Sequence, residues 1–370
     1  MICSPAARLW LEIVSAKGIG NASWAELRKS VTLEEITSML ASAEGRERLG
    51  RIFGRGVRPP DRRFAAAQLR RLERSGCGVL CISDDAYPPL LRAIADPPPV
   101  LFFAGNPDPL LSSMICVVGS RRATRRGLIA AHGIARGLSE RGVHVVSGLA
   151  RGIDGAAHEG ALAGAGGTSA VLGCGVDLVY PPEHARLAAR IRERGCIVSE
   201  LPLGTPPFKY NFPLRNRILS GLSLGVVVVE AAERSGALGT ATWAADQGRE
   251  VFAVPGPVDS AMSGGPHKLI RDGARLAASA EQILEDLPSA SSIRDASRAA
   301  AEAGPQLGLF AEDERRVLAA LDLDPKHIDE LVQFCHISPA IILPILLDLE
   351  MRGVIVSCGS GSYALAAPAG

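Results

Sequence analysis

Four short strings of small and polar residues have the makings of a binding site. They are Gly119-Ser120-Arg121, Ser147-Gly148-Leu149-Ala150-Arg151-Gly152, Gly173-Cys174-Gly175 and Ser235-Gly236-Ala237-Leu238-Gly239-Thr240. Glycine lets a backbone approach a ligand, and amides at a helix start attract anions, so several such strings at one edge make a phosphate site. Cations accompany them: Arg121, Arg122, Arg125 and Arg126 follow the first string, and Arg151 lies in the second. A further stretch, Lys209-Tyr210-Asn211-Phe212-Pro213-Leu214-Arg215-Asn216-Arg217, interleaves cations with aromatic rings. A single strand of nucleic acid needs that combination, charges for its backbone and rings for its unstacked bases. Any one string alone reads equally as a solvated loop; their number favours an anion site.

Nucleotide and catalytic fingerprints mostly fail. GSRRATRRG lacks the Gly-Lys-Ser/Thr ending of a P-loop, and Gly173-Cys174-Gly175 continues into Val-Asp-Leu without the third glycine of a dinucleotide loop. Asp154 and His158 are four residues apart and would share a helix face as an acid–base pair. A helix-start cap and a hydrogen-bonded core histidine explain the same two residues, and with no nucleophile at a defined spacing that structural account is preferred. Glu200 and Glu230 end strands without a second carboxylate at useful spacing, so no metal site is expected. The eight cysteines include no CxxC pair and sit among apolar residues, as reduced core thiols of a cytosolic protein do.

Elements that would hold these strings follow from the apolar pattern. Brief β-branched runs at 79–82, 100–103, 115–118, 143–147, 169–172, 197–199, 226–229 and 251–254 alternate with helical stretches such as 127–141 and 154–163. Alternating buried strands and helices imply an α/β fold with a doubly wound, mostly parallel sheet, whose ligands bind outside the carboxyl ends of the strands. Residues 1–75 read as a small helical domain, in which Gly18-Ile19-Gly20 is either a helix-hairpin-helix turn or a plain connection. The core domain spans 76–287, and the Ser-, Ala-, Gly- and Pro-rich stretch 288–310 is a linker. Residues 311–370 show three helical stretches and a hairpin, the pattern of a winged helix.

The 370 residues are 47% apolar and carry 40 basic against 39 acidic side chains. That balance hides a polarised chain: residues 1–75 hold 14 basic and 8 acidic side chains, whereas 311–370 hold 4 and 9. The longest apolar run, 222–232, is interrupted by Ser223, Gly225 and Glu230 and falls short of the ~20 residues that span a bilayer. The first residues lack a secretory pattern, so a cytoplasmic protein without a membrane partner is expected.

Seven strings stand in order between Tyr87 and Ala274: YPPLLRAIADPPPVLFFAGN, VVGSRRAT, SGLARGIDGAAHEGAL, GCGVDLVYPPEH, SELPLGTPPFKYNFPLRNRILSGLS, VVVEAAERSGALGTATWAADQGREVFAVPG and GGPHKLIRDGA. The span they mark out, 87–274, is about half the chain, and through them it resembles the DprA/Smf family (DNA processing protein A). The resemblance implies an extended Rossmann-like core that binds single-stranded DNA and helps load the RecA recombinase in natural transformation. It further implies a homodimer formed through that core, no cofactor and no catalytic activity. Carried over by position, the DNA pocket would comprise Gly119, Ser120 and Arg121, then Ser147, Gly148 and Arg151, then Lys209 and Phe212, with Asn216 and Arg217 in support. His267 and His184 stand where the family commonly has Asn, which puts neighbouring loop hydrogen bonds in question. The RecA-contacting surface has no compact signature, and Trp243 among alanines over 240–248 suggests a dimer surface.

The related nucleoside-monophosphate phosphoribohydrolases carry Gly-Gly-x-Gly-Thr and then an acidic residue; Ser235 to Thr240 resembles that loop, but residues 241–245 contain no Glu. A nucleotide-processing enzyme is therefore the rival reading. The expected recognition helix of the winged helix, 338–352, sets one Arg against Asp348 and Glu350, which suits contact with protein better than with duplex phosphates.

Overall fold

The computed structural model describes residues 6–16, 24, 32–53 and 56–287, and parts of 316–365. Gly18-Ile19-Gly20 and the linker 288–310 lie outside the described residues, as does most of 338–352. Contacts divide the chain into two units, Met1–Ser297 and Arg298–Gly370.

Nine strands of the first unit are β1 (Gly78–Cys81), β2 (Val100–Gly105), β3 (Met114–Val118), β4 (His144–Ser147), β5 (Thr168–Val171), β6 (Cys196–Ser199), β7 (Gly225–Val228), β8 (Glu250–Ala253) and β9 (Arg275–Leu276). Eight match the runs expected from sequence within two residues; the exposed, two-residue β9 carries no pattern to read. Their order is β1-β2-β6-β5-β4-β3-β7-β8-β9. The strands from β6 to β9 pair in parallel, while β2 runs antiparallel to both β1 and β6. Alternate residues of β3 feed opposite faces: Cys116 and Val118 join one apolar cluster, Ile115 and Val117 the other. Burial on both faces is what makes such strands near-continuous apolar runs in a parallel sheet.

Helices of this unit are α1 (Ala7–Ser15), α2 (Leu33–Ala41), α3 (Ala43–Phe53), α4 (Arg62–Ser75), α5 (Pro89–Arg92), α6 (Arg125–Glu140), α7 (Ile153–Leu162), α8 (Ala185–Arg194), α9 (Asn211–Gly221), α10 (Gly236–Asp246), α11 (Gly264–Arg271) and α12 (Ala280–Glu285). One face of the sheet is covered by Ala131, Ile134 and Leu138 of α6 with Ile153, Ala157 and Ala161 of α7. The opposite cluster takes Leu187 and Ile191 of α8, Ile218 and Leu219 of α9, and Ala241 and Ala244 of α10. It also takes Trp10, Leu11 and Ile13 of α1 and Ala65 and Leu72 of α4, so the N-terminal helices share a core with the sheet. Side chains tie them down: Trp10 Nε1 donates to Ser83 Oγ at 3.0 Å. Helix α4 is capped by Asp61, whose carboxylate accepts from Phe64 N at 3.0 Å, and ends at Gly76, a left-handed residue with φ 66°.

In the second unit β10 (Lys326–His327), β12 (Ser362–Leu365) and β11 (Ile355–Gly359) form an antiparallel sheet, with helix α13 (Ile328–Cys335) between β10 and β11 in the chain. Its core is aliphatic, including Val317, Leu331, Ile342, Leu346 and Ile355.

Candidate functional site

Connections leave β3 toward β4 and leave β7 toward β8, so the sheet's topological switch point lies between the carboxyl ends of β3 and β7. The first string follows β3. Ser120 N donates to Glu230 O at 2.6 Å, fastening that loop to the end of β7. The Glu230 carboxylate then closes the start of α6: it accepts from Thr124 N at 2.8 Å and from Thr124 Oγ1 at 2.6 Å. A Cβ on Gly127 would lie 2.3 Å from Glu230 Cδ, which is why glycine stands there. An incoming phosphate at this helix start would meet a carboxylate already on the dipole. Glu230 is thus a cap rather than a metal ligand.

The second string is held from within. Gly152 has φ 75°, and Ile153 N donates to Ser120 O at 3.2 Å, joining this loop to the first. Ser147 is buried and its hydroxyl donates to Val117 O at 2.6 Å. Buried Asp154 accepts from Ala150 N at 3.3 Å. Beneath the loop lies a buried guanidinium: Arg215 donates from Nη1 to Gly148 O at 3.0 Å and to Val171 O, and from Nε to Asn216 Oδ1 at 3.3 Å. A Cβ on Gly148 would lie 2.1 Å from Arg215 Nη2, so a larger residue there would have to displace that guanidinium. Burial pushes the Asp154 carboxyl up and the Arg215 guanidinium down, and each partner's charge opposes the other's shift. The Ala150 and Ile153 amides thus serve the loops' own architecture.

Asp154 and His158 do not form an acid–base pair. His158 Nδ1 lies 2.8 Å from Thr168 Oγ1, whose own proton goes to Val145 O at 2.7 Å. The imidazole therefore donates from Nδ1, and burial lowers its pKa to about 3, which keeps it neutral.

Side chains do converge at the ends of β3 and β5. The Arg121 guanidinium lies over the Phe212 ring, 5.2 Å from its centroid, and Phe212 meets Tyr180 at 5.6 Å with planes 44° apart. Phe212 packs on Gly173, where a Cβ would approach Cδ1 to 3.0 Å, and Asn211 Nδ2 donates to Gly173 O at 3.1 Å. Exposed Lys209 is flanked by Phe208 and Tyr210, which are 46% and 65% exposed and stack at 5.5 Å and 7°. Arg122 is exposed; Arg151 is exposed too but paired with the Glu183 carboxylate, which raises the Arg151 pKa and lowers that of Glu183.

Two residues of the expected pocket lie elsewhere. Most of 209–217 is the start of α9, so helical period sends its side chains in different directions. Arg217 is 4% exposed and clamped by Glu200, with Nη1 at 2.7 Å and Nη2 at 2.6 Å, while Nε reaches Asp96 Oδ2 at 3.0 Å. Its charge is spent on fixing α9. Asn216 accepts from Arg215 and donates from Nδ2 to Gly236 O at 3.3 Å, tying α9 to the fourth string. Sequence reasoning missed the roles of Arg215, Tyr180, Glu183 and Phe208; of these, only Phe208, adjacent to Lys209, carried a readable signal. His184 Nδ1 lies 3.0 Å from Leu149 O, and His267 Nε2 lies 3.0 Å from Gly256 O, so both departures are absorbed as loop ties. Leu149 itself has φ 55°.

Fold and site define a Rossmann-like α/β protein with a cationic, ring-floored ledge along its strand ends and a switch-point helix closed by its own carboxylate. The chain belongs to the DNA recombination-mediator protein A family, whose family model matches residues 78–288, and a DprA winged helix domain matches residues 295–361. It is 49% identical to Protein Smf of Escherichia coli over 227 residues, spanning 61% of this chain and 61% of that protein. A DprA-named protein of Mycobacterium tuberculosis is 36% identical over 373 residues, covering 97% of this chain and 94% of its own. The structure of DNA processing protein A from Streptococcus pneumoniae superposes with a TM-score of 0.61 at 34% identity, covering 76% of this chain and 93% of that one. DNA processing protein A from Helicobacter pylori, a structure concerned with a single-stranded DNA binding mode, gives 0.52 at 27% identity over 57% and 97%.

Proposed function

We propose that the ledge binds single-stranded DNA with little sequence preference, and that the protein acts as a cytoplasmic homodimer that delivers the strand to a RecA-type recombinase. The carrying observation is the Arg121–Phe212 contact beside exposed Lys209 and the open Phe208–Tyr210 pair. Phosphates would meet Arg121, Arg122 and Lys209, while unstacked bases lie on the rings; each base–ring stack contributes roughly 1 to 3 kcal/mol whatever the base. Gly119, Ser120, Ser147 and Gly148 shape the loops beneath, and Arg151 joins when a phosphate displaces Glu183. The H. pylori relative's single-strand mode supports this reading.

His158 beneath the loops is buried and neutral, so no proton-transfer role is assigned to it. Anisotropy with a labelled oligothymidylate against its duplex tests the binding: the single strand should bind more tightly, with affinity falling steeply in salt. Equal affinity for duplex would refute it. Delivery is tested by recombinase nucleation on protein-coated strands, which the protein should accelerate. Release of free base from nucleoside monophosphates would instead establish the nucleotide-processing reading.

A further inference from the structure

The chain's positive excess lies in its first 75 residues, and the ledge uses none of it. Ten of those basic residues fall within 46–74 against three acids, Glu47, Asp61 and Glu73. Helix α4 alone carries Arg62, Arg63, Arg70, Arg71 and Arg74. At about 100° per residue, Arg63, Arg70 and Arg74 fall within about 40° of one another and span about 16 Å of the helix. All three are exposed, and among the described residues none of them, nor Glu73, makes an ion pair. Arg62 and Arg71, by contrast, pair with Glu12 and Asp177.

The stripe has a fixed place. Gln68 locks α4 to the loop after β6, donating to Leu203 O at 3.3 Å and accepting from Leu203 N at 3.0 Å. Arg71 Nη2 meets Asp177 Oδ2, in the loop after β5, at 3.2 Å. Those two loops run from Gly173 and into Lys209, the β5–β6 side of the ledge. On the wheel Arg71 sits about 60° from Arg74, so the stripe adjoins the flank of α4 that meets these loops.

We propose that Arg63, Arg70 and Arg74 form a second phosphate track, which carries the sugar–phosphate backbone of a single strand beyond the ledge; this rests on the binding proposed above. Ala66 and Ala67 are the neighbours on this face, with no ring or long aliphatic chain to hold a base or enter a lipid surface. Contacts would therefore be to phosphate alone.

The test uses the full chain with Arg63→Gln, Arg70→Gln and Arg74→Gln together, against Arg121→Gln, with circular dichroism to verify folding. Binding is measured by anisotropy to oligothymidylates of about 6 and about 30 nucleotides, lengths that bracket a single-strand site. The triple variant should bind the short strand as wild type does and lose about tenfold on the long one. Its salt slope on the long strand should fall by about 2, at roughly 0.7 per phosphate. Unchanged affinity and slope on the long strand overturn the track, while the ledge stands if Arg121→Gln still weakens both lengths. Binding of neither strand by wild type overturns both. Polyglutamate is titrated alongside; if the triple variant loses affinity for it alone, the track is overturned and the stripe belongs to an acidic protein.

Discussion

Replacing Arg217 with Met separates a positioning cation from a contacting one. The Arg217 side chain is 4% exposed and is held by Glu200 and Asp96. Removing it takes the bidentate guanidinium away from the partly buried Glu200 carboxylate, and breaking such a pair from one side costs about 3 kcal/mol. For a unit of this size that lowers Tm by roughly 6 to 12 °C. Because the guanidinium does not open onto the ledge, single-strand affinity per folded molecule should stay within about twofold. Glu200→Gln added to Arg217→Met should recover part of the loss, since the buried charge is then gone. Lys209→Ala should do the reverse, leaving Tm unchanged and weakening binding. Thermal unfolding by circular dichroism and anisotropy at a temperature where both variants are folded give the two readouts. A variant lacking Arg217 that keeps its Tm but loses binding would refute the assignment.

Other outcomes follow from the same geometry. Phe208→Ala with Tyr210→Ala should weaken oligothymidylate binding at least tenfold and leave an abasic strand of equal length unaffected, as checked by anisotropy. Glu183→Gln should free Arg151 and tighten binding at low salt, measured as a lower Kd; a weaker complex would contradict the competition. Folded His158 has a pKa of about 3 against 6.5 for the free side chain, so its stabilising contribution is complete above pH 6.5 and lost as pH falls toward 3. By pH 5 this costs about 2 kcal/mol, and His158→Gln should flatten the fall in denaturant midpoint between pH 7 and 5.

Local pattern was enough for the sheet. Runs such as 226–229 are apolar and β-branched because both faces are covered, and the helices between them follow a 3.6 period. It was not enough for the loops' partners. Glu230 reaches Thr124 across 106 positions and Arg215 reaches Gly148 across 67, pairings that no spacing rule exposes. The string 209–217 misled for a related reason. Its cations look equivalent in sequence, but α9 turns Arg215 and Arg217 inward to Gly148 and Glu200 and leaves Lys209, before the helix, in solvent. The aromatic signal misled less, because Tyr210 precedes the first helical turn and stays exposed, and Phe212 lies under Arg121.

The measurement that bears most directly on the ledge is the affinity of Arg121→Ala with Lys209→Ala for a labelled single strand across a salt series. Both side chains are exposed, Arg121 lies over a ring, and among the described residues neither makes an ion pair, so the double variant should fold as wild type does. Binding should be lost, with the salt slope reduced by about 1.4 for two phosphate contacts. Wild-type affinity and slope in that variant would contradict the proposed ledge.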